Sequence, residues 1–136
     1  MYQHILIPTD GSELAHKGVV HGLSLAKAVG AKVTVLTVEA FNVDDAFKSR
    51  LEEAQEHAAS ILNGIASEAK AVGVTCETLQ VIQSDPEMAI VTTAKERGCD
   101  LIVMASHGRS GMAAVLLGSV TANVLTRTNI PVLVCH

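Results

Sequence analysis

The length and composition of the chain limit the classes of protein to which it can belong. It has 136 residues, of which 49% are hydrophobic, and this suits one globular domain, residues 1–136, with a buried core. The net charge of −4 and the near absence of aromatic side chains argue against a nucleic-acid partner. No apolar run reaches the ~20 residues that a membrane span needs, so we expect no membrane partner either.

The cysteine pattern predicts a reducing environment. Cys76, Cys99 and Cys135 are an odd number of widely spaced cysteines without a CxxC pair. Such a pattern does not suit a disulfide framework. Because we also see no secretory signal pattern at the start of the chain, we expect a cytoplasmic protein.

Strand-like and helix-like segments alternate through the first half of the chain. The apolar run His4–Pro8 predicts a buried strand, and the turn Asp10-Gly11-Ser12 opens a helix over Leu14–Val29. Gly30 ends that helix. The β-branched run from Ala31 to Val38 predicts a second strand, and a polar connection follows from Phe41 to Lys48.

The same alternation continues toward the C-terminus. A long amphipathic helix is predicted over Arg50–Val72, and the alternating segment Val74–Ile82 predicts a strand at a sheet edge. Pro86 stands at the first position of a third helix, which runs to about Arg97.

A fourth and a fifth strand flank the last helix. The fourth strand is Leu101–Ala105, Gly118-Ser119 opens a helix to about Thr126, and Pro131–Cys135 forms the last strand. Five strands that alternate with four helices predict an α/β fold, a doubly wound parallel sheet covered on both faces.

Ligands of such folds bind at the carboxyl ends of the strands, so residues that follow strands are the candidates. After the first strand, Asp10 could accept hydrogen bonds from ribose hydroxyls or lie near a metal ion. The alternative is that Asp10 or Ser12 only caps the first helix.

The connection after the fourth strand carries features of a phosphate site. Gly108 allows close backbone approach, Ser106 and Arg109 supply donors, and His107 lies between them. The helix start at Gly118-Ser119 adds unpaired N–H groups and a favourable dipole. Each feature also has a structural alternative, a flexible turn or an ordinary serine cap. Neither GxGxxG nor GxxxxGK[ST] is present, which disfavours dehydrogenase and P-loop chemistry.

Two segments together resemble the universal stress protein family over the whole chain. They are Ile5–Ser12 and the stretch from Leu101 through Ser106-His107-Gly108-Arg109 and Gly118-Ser119 to Val134. ATP-binding members carry Gly, two residues, Gly, nine residues, then Gly-Ser or Gly-Thr. Here Gly108, nine residues and Gly118-Ser119 fit, and Ala105 replaces the first glycine.

The resemblance implies roles for individual residues. Pro8, Thr9 and Asp10 would line the ribose and adenine side, the backbone of Val38 would recognise the adenine edge, and Met104 would pack on the base. The phosphates would be surrounded by Ala105, His107, Gly108 and Arg109 and enclosed by Gly118, Ser119, Val120 and Thr121. Bound ATP, or AMP or ADP, would hold Mg²⁺ through its phosphates, with no metal site made by the protein alone.

The resemblance also implies the sheet order 3-2-1-4-5 and a homodimer that pairs the last strands, Pro131 to Cys135. An exposed apolar edge strand makes such pairing physically sensible.

Three functions remain open from the sequence. The leading one is a regulatory stress-response module that holds ATP, because we find no catalytic residues in the phosphate-type loop. The second is a slow ATPase or phosphoryl-transfer enzyme in which Asp10 holds the metal and His107 or Arg109 stabilises the transition state. The third is a dimeric member that binds partners without a nucleotide, which Ala105 favours.

Overall fold

The computed structural model describes residues 1–39, 47–108 and 117–136. Its strands are β1 (His4–Pro8), β2 (Lys32–Glu39), β3 (Cys76–Ile82), β4 (Leu101–Ala105) and β5 (Val132–Cys135). Its helices are α1 (Glu13–Val29), α2 (Phe47–Val72), α3 (Pro86–Glu96) and α4 (Ser119–Arg127). No helix within these ranges is both long and apolar enough to cross a membrane.

All five strands form one parallel sheet in the order β3-β2-β1-β4-β5. The predicted α/β fold with sheet order 3-2-1-4-5 and four helices is therefore confirmed. Every residue of β1 and β4 is buried, whereas β3 and β5 are partly exposed. The alternating pattern of the third strand correctly predicted an edge strand.

The core has two halves, one on each face of the sheet. Ile5 and Ile7 point to the face covered by α1 and α2, whereas Leu6 points to the face covered by α3 and α4. Successive side chains of a strand point to opposite faces, so the continuous apolar run of β1 serves both halves.

Two glycines let α1 lie very close to the sheet. A Cβ atom on Gly18 would lie 2.9 Å from the backbone nitrogen of Ala105. A Cβ on Gly22 would collide with the Cδ1 atom of Ile7. Because real Cβ atoms do not approach neighbours so closely, side chains here would push the helix off β1 and β4.

Some predicted boundaries are wrong: β3 begins at Cys76, not at Val74, and the largest difference is at α2. Helix α2 begins at Phe47, not at Arg50, so the predicted polar connection from Phe41 to Lys48 ends earlier than expected. No proline or glycine stands between residues 47 and 50, so the helix can begin before the start of its amphipathic pattern at Arg50. Residues 40–46 of that connection lie outside the described residues.

Candidate functional site

The turn after β1 is held by its own hydrogen bonds. Thr9 Oγ1 accepts from the Gly11 N–H at 3.1 Å, and Asp10 Oδ1 accepts from the Ser12 N–H at 2.9 Å. Ser12 is the cap of α1, because its Oγ accepts from the Ala15 N–H at 3.1 Å. Asp10 therefore shapes the turn, and the capping role belongs to Ser12.

The two loops predicted to bind the ligand lie against each other. A Cβ atom on Gly108 would lie only 2.5 Å from Asp10 Oδ2. The absence of a side chain at residue 108 therefore leaves the space that the Asp10 carboxylate occupies. This contact joins the turn after β1 to the connection after β4.

The connection from β4 to α4 is anchored at both ends. The Ser106 N–H donates to the Cys135 carbonyl at 2.8 Å, and the Gly118 N–H donates to the Ser106 carbonyl at 2.7 Å. The buried hydroxyl of Thr121 donates to the Ala105 carbonyl at 2.9 Å. These bonds fix the start of α4 beside the end of β4. Residues 109–116, with the predicted phosphate ligand Arg109, lie outside the described residues.

Among the described residues, no side chain caps the N-terminus of α4. Its cap residue is Gly118, in extended backbone conformation and without a side-chain hydrogen bond to the helix. The first N–H groups of a helix have no partner within the helix, and they carry a partial positive charge. The start of α4 can therefore accept an anion.

The two ring nitrogens of His107 have different surroundings. Nδ1 lies 3.1 Å from Ser106 Oγ, whereas Nε2 is buried without a hydrogen-bond partner among the residues that the structure describes. A buried polar atom without a partner is costly, so a ligand that bonds to Nε2 would remove that cost.

These elements enclose a cleft of about 470 Å³ at the carboxyl ends of β1 and β4. Such a volume is in the range of small-molecule sites. Twelve of the predicted residues line it: Pro8, Thr9, Asp10, Val38, Met104, Ala105, His107, Gly108, Gly118, Ser119, Val120 and Thr121. Ser106 is 7% exposed and is not among the lining residues, so its hydroxyl holds the ring of His107 from behind.

Four further residues line the cleft that the sequence analysis did not single out. They are Leu36, Pro86, Ile90 and Leu117. Leu36 and Ile90 belong to ordinary apolar patterns, so no sequence signal separates them from the core. Pro86 had a signal, because it begins a helix that follows a strand of the same sheet.

Ala105 does not place its methyl group on the α3 and α4 side of the sheet. It ends β4 opposite Cys135, in a strand whose side chains alternate between faces. Its Cβ therefore shares the face of Leu101 and Val103, whereas Met104 takes the other face. No non-glycine residue in the described ranges has a positive φ, so alanine fits here without strain.

Comparison with known proteins gives a consistent assignment. The model of the universal stress protein family matches residues 1–136. Universal stress protein MJ0531 of Methanocaldococcus jannaschii is 30% identical over 140 residues, which cover 98% of this chain and 82% of that protein.

Two solved structures agree with the fold and with its extent. The structure of MJ0577 from the same organism has a TM-score of 0.84 and 34% identity, and the match covers 99% of this chain and 96% of that one. A universal stress protein in complex with cAMP has a TM-score of 0.77 and 32% identity, with 99% and 97% covered. This chain therefore belongs to the universal stress protein family.

Proposed function

We propose that this protein is a regulatory module that binds an adenine nucleotide, with ATP favoured over ADP and AMP, in the cleft between β1 and β4. One observation carries the proposal: a single cleft joins apolar walls to an uncapped helix N-terminus. A nucleotide has the same two parts, an apolar base and an anionic phosphate chain.

The apolar end of the cleft suits the base. Leu36, Val38, Ile90 and Met104 line it, and all four also belong to or pack on the core half under α3 and α4. A flat base between such side chains loses contact with water, which stabilises the complex. In this arrangement the backbone of Val38 recognises the edge of the adenine, and Pro8, Thr9 and Asp10 lie on the ribose side.

The other end suits the phosphates. The N–H groups of Ser119, Val120 and Thr121 begin α4, and Gly108 allows the chain to approach an anion closely. His107 adds Nε2, and Arg109, outside the described residues, adds a cation. The complex of a related universal stress protein with cAMP supports nucleotide binding in this family.

Magnesium, in this proposal, is held mainly by the phosphates. Among the described residues, no three His, Cys, Asp or Glu side chains are grouped so that they could hold a metal ion. Mg²⁺ prefers oxygen ligands and commonly binds through one carboxylate together with substrate phosphates. Asp10 is a carboxylate in the cleft wall, so it fits as the protein's contribution.

A second candidate function is slow ATP hydrolysis, favoured by the buried Nε2 of His107. A hydrogen bond from this nitrogen to a phosphate oxygen would stabilise charge in the transition state. If hydrolysis belongs to this protein, His107→Ala and Asp10→Ala each lower it strongly. Turnover that stays at the wild-type rate in both variants would come from a contaminant.

The test of the main proposal is calorimetry on protein stripped of ligand by unfolding and refolding. ATP with Mg²⁺, ADP, AMP and cAMP are titrated separately, and GTP serves as the control for base recognition. We expect binding of one molecule per chain, with an adenine nucleotide preferred over GTP. Absence of binding by all the adenine nucleotides would contradict the proposal.

We also propose that the protein is a cytoplasmic homodimer that acts in the stress response. Cys76, Cys99 and Cys135 are all unpaired, as expected in a reducing compartment. The edge strand β5 exposes 43% of Leu133, and pairing with a second β5 would cover it. Sedimentation of the wild type and of Leu133→Asp tests this, because the variant should be monomeric.

A further inference from the structure

Two polar bonds connect α3 to α4 beside the cleft. Asn123 Nδ2 donates to Glu87 Oε1 at 3.0 Å, and Arg127 Nη1 donates to Asp85 Oδ2 at 3.0 Å. Asn123 and Arg127 are four residues apart and so share one face of α4. Asp85 caps α3 by accepting from the Met88 N–H at 3.1 Å. We call these four side chains the α3–α4 latch.

The latch joins two helices whose first turns both contribute residues to the cleft. Pro86, which lies between the two acidic residues of the latch, lines the cleft from the α3 side. Ser119 to Thr121, at the start of α4, line the same cleft. The latch therefore sets the distance between the wall at Pro86 and the N–H groups of α4.

Helix α4 needs such support because it is short and uncapped. It has 9 residues, and isolated helices of that length are not stable in water. Besides its apolar contacts, it is fastened to β4 by Thr121, near its start. The latch holds the next turns, at Asn123 and Arg127.

We propose that Asn123 and Arg127 are positioning residues for the cleft: they keep the first turn of α4 ordered and correctly placed before a ligand arrives. The consequence for nucleotide affinity rests on the proposed function, whereas the ordering of α4 does not. Preorganisation of this kind strengthens binding because less ordering is needed when the ligand binds.

The chain offers a matched control. Arg97 Nη1 binds Glu77 Oε2 at 3.0 Å, with side chains 43% and 48% exposed, against 43% and 43% for Arg127 and Asp85. This pair connects the end of α3 to β3, and neither residue lines the cleft. Arg97→Ala therefore removes an equivalent surface ion pair elsewhere.

The test compares Asn123→Ala, Arg127→Ala, their double variant and Arg97→Ala. Hydrogen exchange of amides 118–124 is measured first, without nucleotide. We expect exchange there to accelerate about fivefold in each latch variant and more in the double variant. Arg97→Ala should leave it unchanged. Asn123→Ala alters no charge, so its effect cannot come from electrostatics at long range.

Calorimetry with ATP and Mg²⁺, and with cAMP, completes the test. We expect Kd to rise about threefold to tenfold in the latch variants and to stay constant in Arg97→Ala. Unchanged hydrogen exchange in the double variant would overturn the inference. Faster exchange with an unchanged Kd would also overturn it, and so would an equal change of exchange or Kd in Arg97→Ala. If the wild type binds neither nucleotide, the proposed function fails, and the exchange data still decide whether the latch orders α4.

Discussion

Helices α1 and α4 both begin at the edge of the sheet where the strands end, yet their N-termini differ. Ser12 caps α1 with its hydroxyl, and Asp10 and Thr9 accept two more N–H groups of the turn. Gly118 caps α4 with no side-chain bond. The first helix start is satisfied by its own sequence, whereas the second leaves its N–H groups for something else.

The difference separates a helix start that satisfies its own donors from one that keeps its donors available. A helix start that satisfies its own donors contributes stability and has little left for a ligand. A helix start with a glycine cap gives up a little stability, of the order of a few tenths of a kcal/mol, and keeps its donors. The cleft thus combines a rigid turn, which supplies shape, with an open one, which supplies hydrogen bonds.

The largest expected effect comes from giving α4 a cap of its own. In Gly118→Asp the new carboxylate would accept the N–H groups of the first turn and repel phosphates. We expect the Kd for ATP to rise about 100-fold, while the midpoint of thermal unfolding stays near that of the wild type. Calorimetry and thermal unfolding measure the two quantities.

Gly118→Ala is the control for that change. It adds a methyl group 3.2 Å from the Ser106 carbonyl oxygen but leaves the N–H groups open. The loss of affinity should be at least tenfold smaller than in Gly118→Asp. Equal losses in both variants would show that bulk, and not the occupied donors, weakens binding.

A smaller loss is expected from Gly108→Ala, which tests the contact between the two loops. The new Cβ would lie 2.5 Å from Asp10 Oδ2, so the carboxylate must move. We expect Kd to rise about tenfold and the free energy of unfolding to fall by about 1–2 kcal/mol. Gly64→Ala is the control, because a Cβ there meets nothing within 4 Å and should stabilise α2 by up to about 1 kcal/mol.

Ser12→Ala tests the helix start of α1, which is capped by its own side chain. Loss of the cap should lower the free energy of unfolding by about 1 kcal/mol, as chemical denaturation can measure. Nucleotide affinity should change less than threefold, because Ser12 does not line the cleft. A loss of affinity as large as that of Gly118→Asp would remove the distinction between the two helix starts.

The smallest effect on binding is expected from Ala105→Gly. The methyl group lies on the face of the sheet opposite Met104, so its removal should change the Kd for ATP by less than about threefold. Stability should fall by about 0.5–1 kcal/mol, the usual cost of glycine in a strand. A large gain in affinity would show instead that Ala105 crowds the ligand.

The fold could be predicted well because its signals are local. Gly30 has a left-handed conformation, with φ 73°, and ends α1, and Pro86 opens α3 as expected. The start of α2 was misplaced, because no glycine or proline marks the boundary in the sequence. The sheet order was expected from the family resemblance and not from periodicity, which is the same for every order of the strands.

The site was predictable where it departs from ordinary structure. Glycines and hydroxyl residues after β4 are unusual for a connection between buried elements, and they drew attention to the phosphate end. The apolar end was harder, because Leu36 and Ile90 look like any core residue until the fold places them at the edge of the cleft.

The pairing of β1 with β4 also determines when the cleft can exist. Ile5 pairs with Leu101, and the Asp100 carboxylate accepts the N–H groups of Gln3 and His4 at 2.9 and 3.0 Å. During synthesis, β1 can therefore pair with its second neighbour, β4, only once the last third of the chain is being made. The proposed nucleotide could bind only after this late step, and at 100 times its Kd it would add about 2.7 kcal/mol to the free energy of unfolding. Ligand supply would then control how much of the finished chain escapes proteolysis.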